Sequence, residues 1–164
     1  MASFSFDVVS TYDKAEMNNA VEQAQREIEN RYDMKGTPAA VEWLGDKTGV
    51  KLVASNAWQI DQVLDILRKK LAGRNMTSKV LNLTGEIHEA NMRAWQDVPF
   101  IDGLTQEKAK EVSKLIRDTH PKAKPSIQGD AVRVVSASKD ELQAVMTTLK
   151  NADVDYPLSF TNYR

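Results

Sequence analysis

Residues 41–71 read VEWLGDKTGVKLVASNAWQIDQVLDILRKKL. Val41 to Leu44 and Val50 to Ala54 are short apolar-rich runs on either side of a Gly45–Gly49 segment, the pattern of strand, turn and strand. Beyond them Ile60, Val63, Leu64, Leu67 and Leu71 recur at spacings of three and four, the period of a helix with one buried stripe. Asn56 precedes that stripe with Gln59 three residues on, a spacing that satisfies orphan helix N–H groups. Gly73 suits the end of the helix. A hairpin leading into a helix is therefore predicted.

The same logic extends outward. Phe4, Phe6 and Val8 alternate with Ser5 and Asp7, as in a strand with one buried face. Met17, Ala20, Val21, Ala24 and Ile28 form a second helical stripe, opened by Asp13 with Glu16. Lys79 to Leu83 reads as a further strand. The order is strand, helix, hairpin, helix, strand, and it then repeats. Ala94 to Ile101 opens the second round, with Pro99 marking a sheet edge or a bulge. Ala109, Val112 and Ile116 give a helix capped by Thr105 and stopped by Pro121 just past His120. Pro125 to Gln128 and Val132 to Val135 flank Gly129-Asp130 as a hairpin. Leu142, Val145, Met146 and Leu149 follow Ser138 and Glu141 as a capped helix, and Pro157 to Thr161 closes the set. The predicted class is α+β: two tandem ferredoxin-like βαββαβ units, each with two helices on one face of a four-stranded antiparallel sheet. The polar stretch Thr84 to Asn91 places the seam, dividing the chain into units 1–84 and 85–164.

Composition narrows function. The 164 residues include 41% hydrophobic and 27% charged side chains with a net charge of -1, which fits a packed globular chain and lacks a strongly basic nucleic-acid footprint. There is no cysteine, so disulfides, thiolate nucleophiles and cysteine-ligated zinc are excluded. No stretch reaches the apolar length of a membrane span. The N-terminal residues MASFSFDVVS carry no signal-peptide pattern. A cytoplasmic protein without membrane contact is expected.

The chemistry-bearing residues are few. His88 and His120 belong to no metal-ligand constellation and read as solvated surface groups. No nucleophile elbow, Ser/His/Asp order, phosphate-binding GxxxxGK[ST] loop or GxGxxG fingerprint occurs. No catalytic residue, metal ligand or cofactor is assigned, and no enzyme activity is expected. Side-chain cations can still hold phosphates. The segment RYDMKG, Arg31 to Gly36, places two cations, an aromatic ring and a glycine just past a helix. It reads either as a dipole-favourable helix end in which Tyr32 continues the stripe from Ile28, or as a loop that contacts phosphate and base. Arg68 to Lys70 and His120 to Lys124 are further basic runs that ordinary solvated surfaces also carry. Trp43, Trp58 and Trp95 read as core residues, with base stacking as the sharper alternative. An RNA-recognition sheet has this topology, but GVKLVAS and AVRVVSA carry no aromatic platform.

Taken in order along the chain, SFDVVS, NRYDMKG, QIDQVLDILRKKL, AKEVSKLIRD, IQGDAVRV, KDELQAV and the terminal LSFTNYR resemble the YajQ family of bacterial proteins. The resemblance implies two ferredoxin-like domains whose N-terminal strands are exchanged. It also implies binding of nucleotides, among them purine triphosphates and transfer RNA, and in one branch a cyclic di-GMP effector role beside a transcription regulator. This sequence departs from the family pattern at Val98 to Leu104, VPFIDGL, where a lysine-bearing strand is common and Asp102 adds negative charge. The expected nucleotide-binding residues are Arg31, Tyr32 and Lys35, then Arg133 within IQGDAVRV, and Asn162 and Arg164 in the tail, which no packing rule otherwise demands. Arg133 should point to the face that Val132 and Val134 do not. The expected partners are cyclic di-GMP, GTP or ATP. An RNA-associated module binding transfer RNA, or a protein-interaction module, is the alternative.

Overall fold

A computed structural model describes residues 3–164. Its strands are β1 (Phe4–Val9), β2 (Ala40–Leu44), β3 (Gly49–Ala54), β4 (His88–Ala90), β5 (Arg93–Pro99), β6 (Lys124–Gln128), β7 (Ala131–Ser136) and β8 (Ser159–Thr161). Its helices are α1 (Lys14–Asn30), α2 (Ala57–Gly73), α3 (Gln106–Thr119) and α4 (Lys139–Lys150). All four caps form as the sequence dictates: the side chains of Asp13, Asn56, Thr105 and Ser138 each accept from the backbone N–H three residues on.

Two four-stranded sheets form, in the orders β6-β7-β1-β8 and β2-β3-β5-β4, and all pairs are antiparallel. Each is the ferredoxin-like strand order, but the strands in the first-strand positions have changed places. β1 lies between β7 and β8, while β5 lies between β3 and β4. Compact units accordingly differ from the contiguous division at residue 84. One gathers β1 with Asp102–Arg164, and the other runs Tyr12–Ile101. A strand is assigned to the sheet whose neighbours bury its apolar face, and here Phe6 and Val8 are buried opposite Val134 and Val132.

Three local expectations are corrected. Lys79 to Leu83 is not a strand: Ser78–Val80 is a 3-10 turn and Leu81 makes a single bridge to Phe100. Val80 and Leu81 are buried consecutively, without the alternation of a strand that has one buried face. The strand missing from that sheet is β4, inside the supposed seam, and all its residues are exposed. Pro99 marks no edge. β5 is internal and Pro99 ends it opposite Gly49, where a missing N–H is tolerated. A Cβ on Gly49 would lie 2.7 Å from both the Pro99 Cα and the Val98 carbonyl oxygen, so only glycine permits this approach.

The β4–β5 hairpin turns through Asn91 and Met92, both at positive φ (52° and 62°). This is the two-residue turn that favours glycine in its second place. Met92 is 91% exposed, so its side chain contributes no packing there. Met92→Gly is expected to raise stability by about 0.5–1 kcal/mol by relieving the left-handed backbone. A urea midpoint that falls in this variant would show that the methionine makes a stabilising contact.

Candidate functional site

The first group of candidate residues lies on the loop between α1 and β2. Arg31 caps α1 with its backbone, and its guanidinium donates to Asp33 (3.0 and 3.1 Å) and Glu27 (3.2 Å). Asp33 and then Glu27 raise its pKa, and Arg31 in turn lowers that of Asp33. Glu27 is also held by Lys70 at 2.9 Å, and the Lys70 hydrogen bond is the leading cause of its lowered pKa. Arg31 thus has two carboxylate partners, one on α1 and one on its own loop. Tyr32 does not continue the α1 stripe, being 94% exposed, while Met34 enters the core instead at 3% exposure. Lys35 is exposed, and among the described residues its side chain has no ion pair or hydrogen bond. Gly36 sits at φ +79° with nothing near its missing Cβ, so the loop surface there is open.

The second group lies in the β6-β7-β1-β8 sheet. Arg133 faces away from the helices, as expected, directly opposite Asp7. Its Nε and Nη2 donate to the Asp7 carboxylate at 3.0 and 3.4 Å, and Asn162 Nδ2 donates to the same group at 2.8 Å. Asp7 is only 6% exposed. The Arg133 and Asn162 hydrogen bonds hold its pKa below the ordinary carboxylate value, against the opposing pull of burial.

The tail is built into this sheet. Past Thr161, opposite Asp7, the backbones of Arg164 and Ser5 exchange both hydrogen bonds at 3.0 Å. One residue of β1, Phe6, therefore faces two of the tail, Asn162 and Tyr163. This is a β-bulge, with Asn162 in the left-handed region at φ 55°. The bulge turns Asn162 towards Asp7 and lays the Tyr163 ring nearly parallel to Phe6, with 6.4 Å between centroids. The Arg164 guanidinium has no ion pair among the described residues.

The structure brings Arg133, Asn162 and Arg164 together in one unit and places Arg31, Tyr32 and Lys35 in the other. It also corrects the reading of His120 as a solvated surface group. Its side chain is 16% exposed and bridges Glu141 at 3.3 Å and Thr148 at 2.7 Å. His88 is exposed as expected and stacks on Trp95 at 5.6 Å, with the Lys51 Nζ 6.0 Å from that indole. Trp95 thus provides an aromatic surface on an internal strand, away from the helices, that the reading of β3 and β7 alone missed. Trp43 packs edge-on against Phe100 near the core, whereas Trp58 is 69% exposed. Among the described residues no group of three or more His, Asp or Glu side chains could hold a metal ion, and no helix is long and apolar enough to cross a membrane.

Among known proteins, the family model for nucleotide-binding protein YajQ-like matches residues 4–164. A nucleotide-binding protein of Trichodesmium erythraeum is 46% identical over 161 residues, covering 98% of this chain and 97% of its own. One from Nostoc punctiforme is 44% identical, with 99% of each chain covered. One from Marinomonas is 44% identical, with 98% of each covered. This full-length similarity decides the family: the chain belongs to the YajQ-like family of nucleotide-binding proteins.

Proposed function

We propose that this protein is a non-catalytic nucleotide effector of the cytoplasm that binds cyclic di-GMP or a purine nucleotide and conveys the bound state to a regulatory partner. The observation that carries this reading is the contrast among its cations. Arg31 and Arg133 are each bonded to carboxylates, whereas among the described residues Lys35 and Arg164 have no ion pair and follow the exposed Tyr32 and Tyr163 by three positions and one in the chain. Arg31, Arg133 and Asn162 hold loop and tail in shape. Lys35 and Arg164 are then available to phosphate oxygens, and the rings to bases.

A thermal-shift panel with cyclic di-GMP, GTP, ATP and transfer RNA tests this. A ligand at 100 times its dissociation constant stabilises the native state by about 2.7 kcal/mol, which for a chain of this size raises the midpoint by about 5–10 °C. No product should form from any of these nucleotides. Turnover abolished by a single carboxylate or histidine substitution would refute the non-catalytic reading, and a flat panel would refute nucleotide binding. A second reading, association with RNA, is favoured by Trp95 flanked by Lys51 and His88, since single strands bind on aromatic surfaces beside cations. A midpoint raised by transfer RNA alone, and lost in Trp95→Ala, distinguishes it.

A further inference from the structure

Between α4 and the tail lies a cleft of about 260 Å³ whose lining includes Phe4, Lys139, Gln143, Met146, Tyr163 and Arg164. We propose that this cleft seats a single nucleotide moiety, its base against Tyr163 and its phosphate between Lys139 and Arg164. The inference rests on the nucleotide-binding reading above and names the place of binding.

Each part of the moiety has a counterpart. Tyr163 is backed by Phe6 and keeps 62% of its surface exposed, an aromatic face held at little entropic cost, as base stacking requires. Lys139 is steadied by the Phe4 ring, 5.0 Å from its Nζ, and Arg164 by its backbone pair with Ser5. Both residues line the cleft, and among the described residues no Asp or Glu side chain joins them there. Gln143 follows Lys139 by one helical turn and offers an amide that both donates and accepts, the chemistry that reads a base edge. Met146 adds an adaptable apolar floor. The volume is below the roughly 300–1,000 Å³ of drug-sized sites, a size closer to one nucleotide moiety than to a whole dinucleotide. The larger cleft of this unit, about 600 Å³ beside Tyr156, is lined by Glu111 and Asp153 and by no cation, which disfavours a phosphate there.

The test is calorimetric titration of the full chain with AMP, GMP, cyclic di-GMP, adenosine, guanosine and a short single-stranded oligoribonucleotide. The variants are Lys139→Glu, Lys139→Ala, Tyr163→Ala and Tyr163→Phe, with Lys122→Glu as a charge control away from the cleft. Each variant's melting curve is recorded, and Lys139→Ala keeps the test open should the charge reversal disturb folding. Expected are nucleotide binding weakened at least tenfold by Lys139→Glu, Lys139→Ala and Tyr163→Ala, retention in Tyr163→Phe and Lys122→Glu, and much weaker binding of the nucleosides. The same pattern with the oligonucleotide alone would identify the moiety's source as nucleic acid. Wild-type affinity in both Lys139 variants and Tyr163→Ala would overturn the site while leaving nucleotide binding intact. A wild-type chain that binds none of these probes would overturn both.

Discussion

Replacing Phe6 by alanine is expected to destabilise the protein by about 3–5 kcal/mol, the range for emptying a buried aromatic site. The damage should appear in the unit formed with Asp102–Arg164, not in the Tyr12–Ile101 unit that follows it directly in sequence. Phe6 has no exposed surface and meets Phe160 edge-on at 5.5 Å and Tyr163 nearly parallel at 6.4 Å. Its strand is internal, so among the described residues β8 has its only ladder with it and β7 one of its two. Amide hydrogen exchange locates the effect, because local opening reports which cooperative unit has weakened. Val132 and Val134 in β7 should lose protection while Leu52 in β3 keeps it. Loss confined to β2 and β3 would contradict the exchanged topology.

That exchange shows where sequence reasoning stops. The alternation in Phe4 to Val8 and in Ala94 to Ile101 states that one face is buried, but a period of two carries no information about the partner. The family resemblance implied the exchange, whereas the residues alone suggested contiguous units. The helices were legible throughout, since stripe and cap are local and coincide at Asp13, Asn56, Thr105 and Ser138. β4 was not, because an exposed strand of three residues contains no apolar pattern. At the candidate site, the Glu27–Arg31 pair could have been read from its spacing of four on one helix face. The partner of Arg133 could not, as Asp7 lies 126 positions away. The clustering of Phe4, Lys139 and Tyr163 has the same origin: β1 brings a residue near the start of the chain beside the tail and the first turn of α4.

Asp7→Asn is expected to destabilise the protein by about 1–2 kcal/mol at neutral pH and by nothing in strong acid. Hydrogen bonds to a charged group contribute about 1.5–3 kcal/mol. The lower figure here reflects the Arg133 side chain, 39% exposed and therefore partly screened by water. The asparagine retains the shape of the carboxylate but has one acceptor oxygen for donors that come from both Arg133 and Asn162. The pH dependence follows from the direction of the Asp7 shift, which Arg133 and then Asn162 drive downwards. A carboxyl group whose folded pKa lies below its unfolded value, about 3.9 for Asp, stabilises fully above that unfolded value. The contribution disappears as pH falls through the folded pKa, because the unfolded chain takes up the proton first. Urea unfolding at neutral pH and at stepwise lower pH should therefore show wild type and Asp7→Asn converging only below about pH 4. A difference that stays constant into strong acid would mean that shape, not the charge of Asp7, holds the tail. Because Asn162 loses its charged acceptor in the variant, the bulge that aims Tyr163 and Arg164 loosens with it. Nucleotide affinity should fall at neutral pH in parallel with stability, and a variant less stable but unchanged in affinity would separate the tail from the ligand.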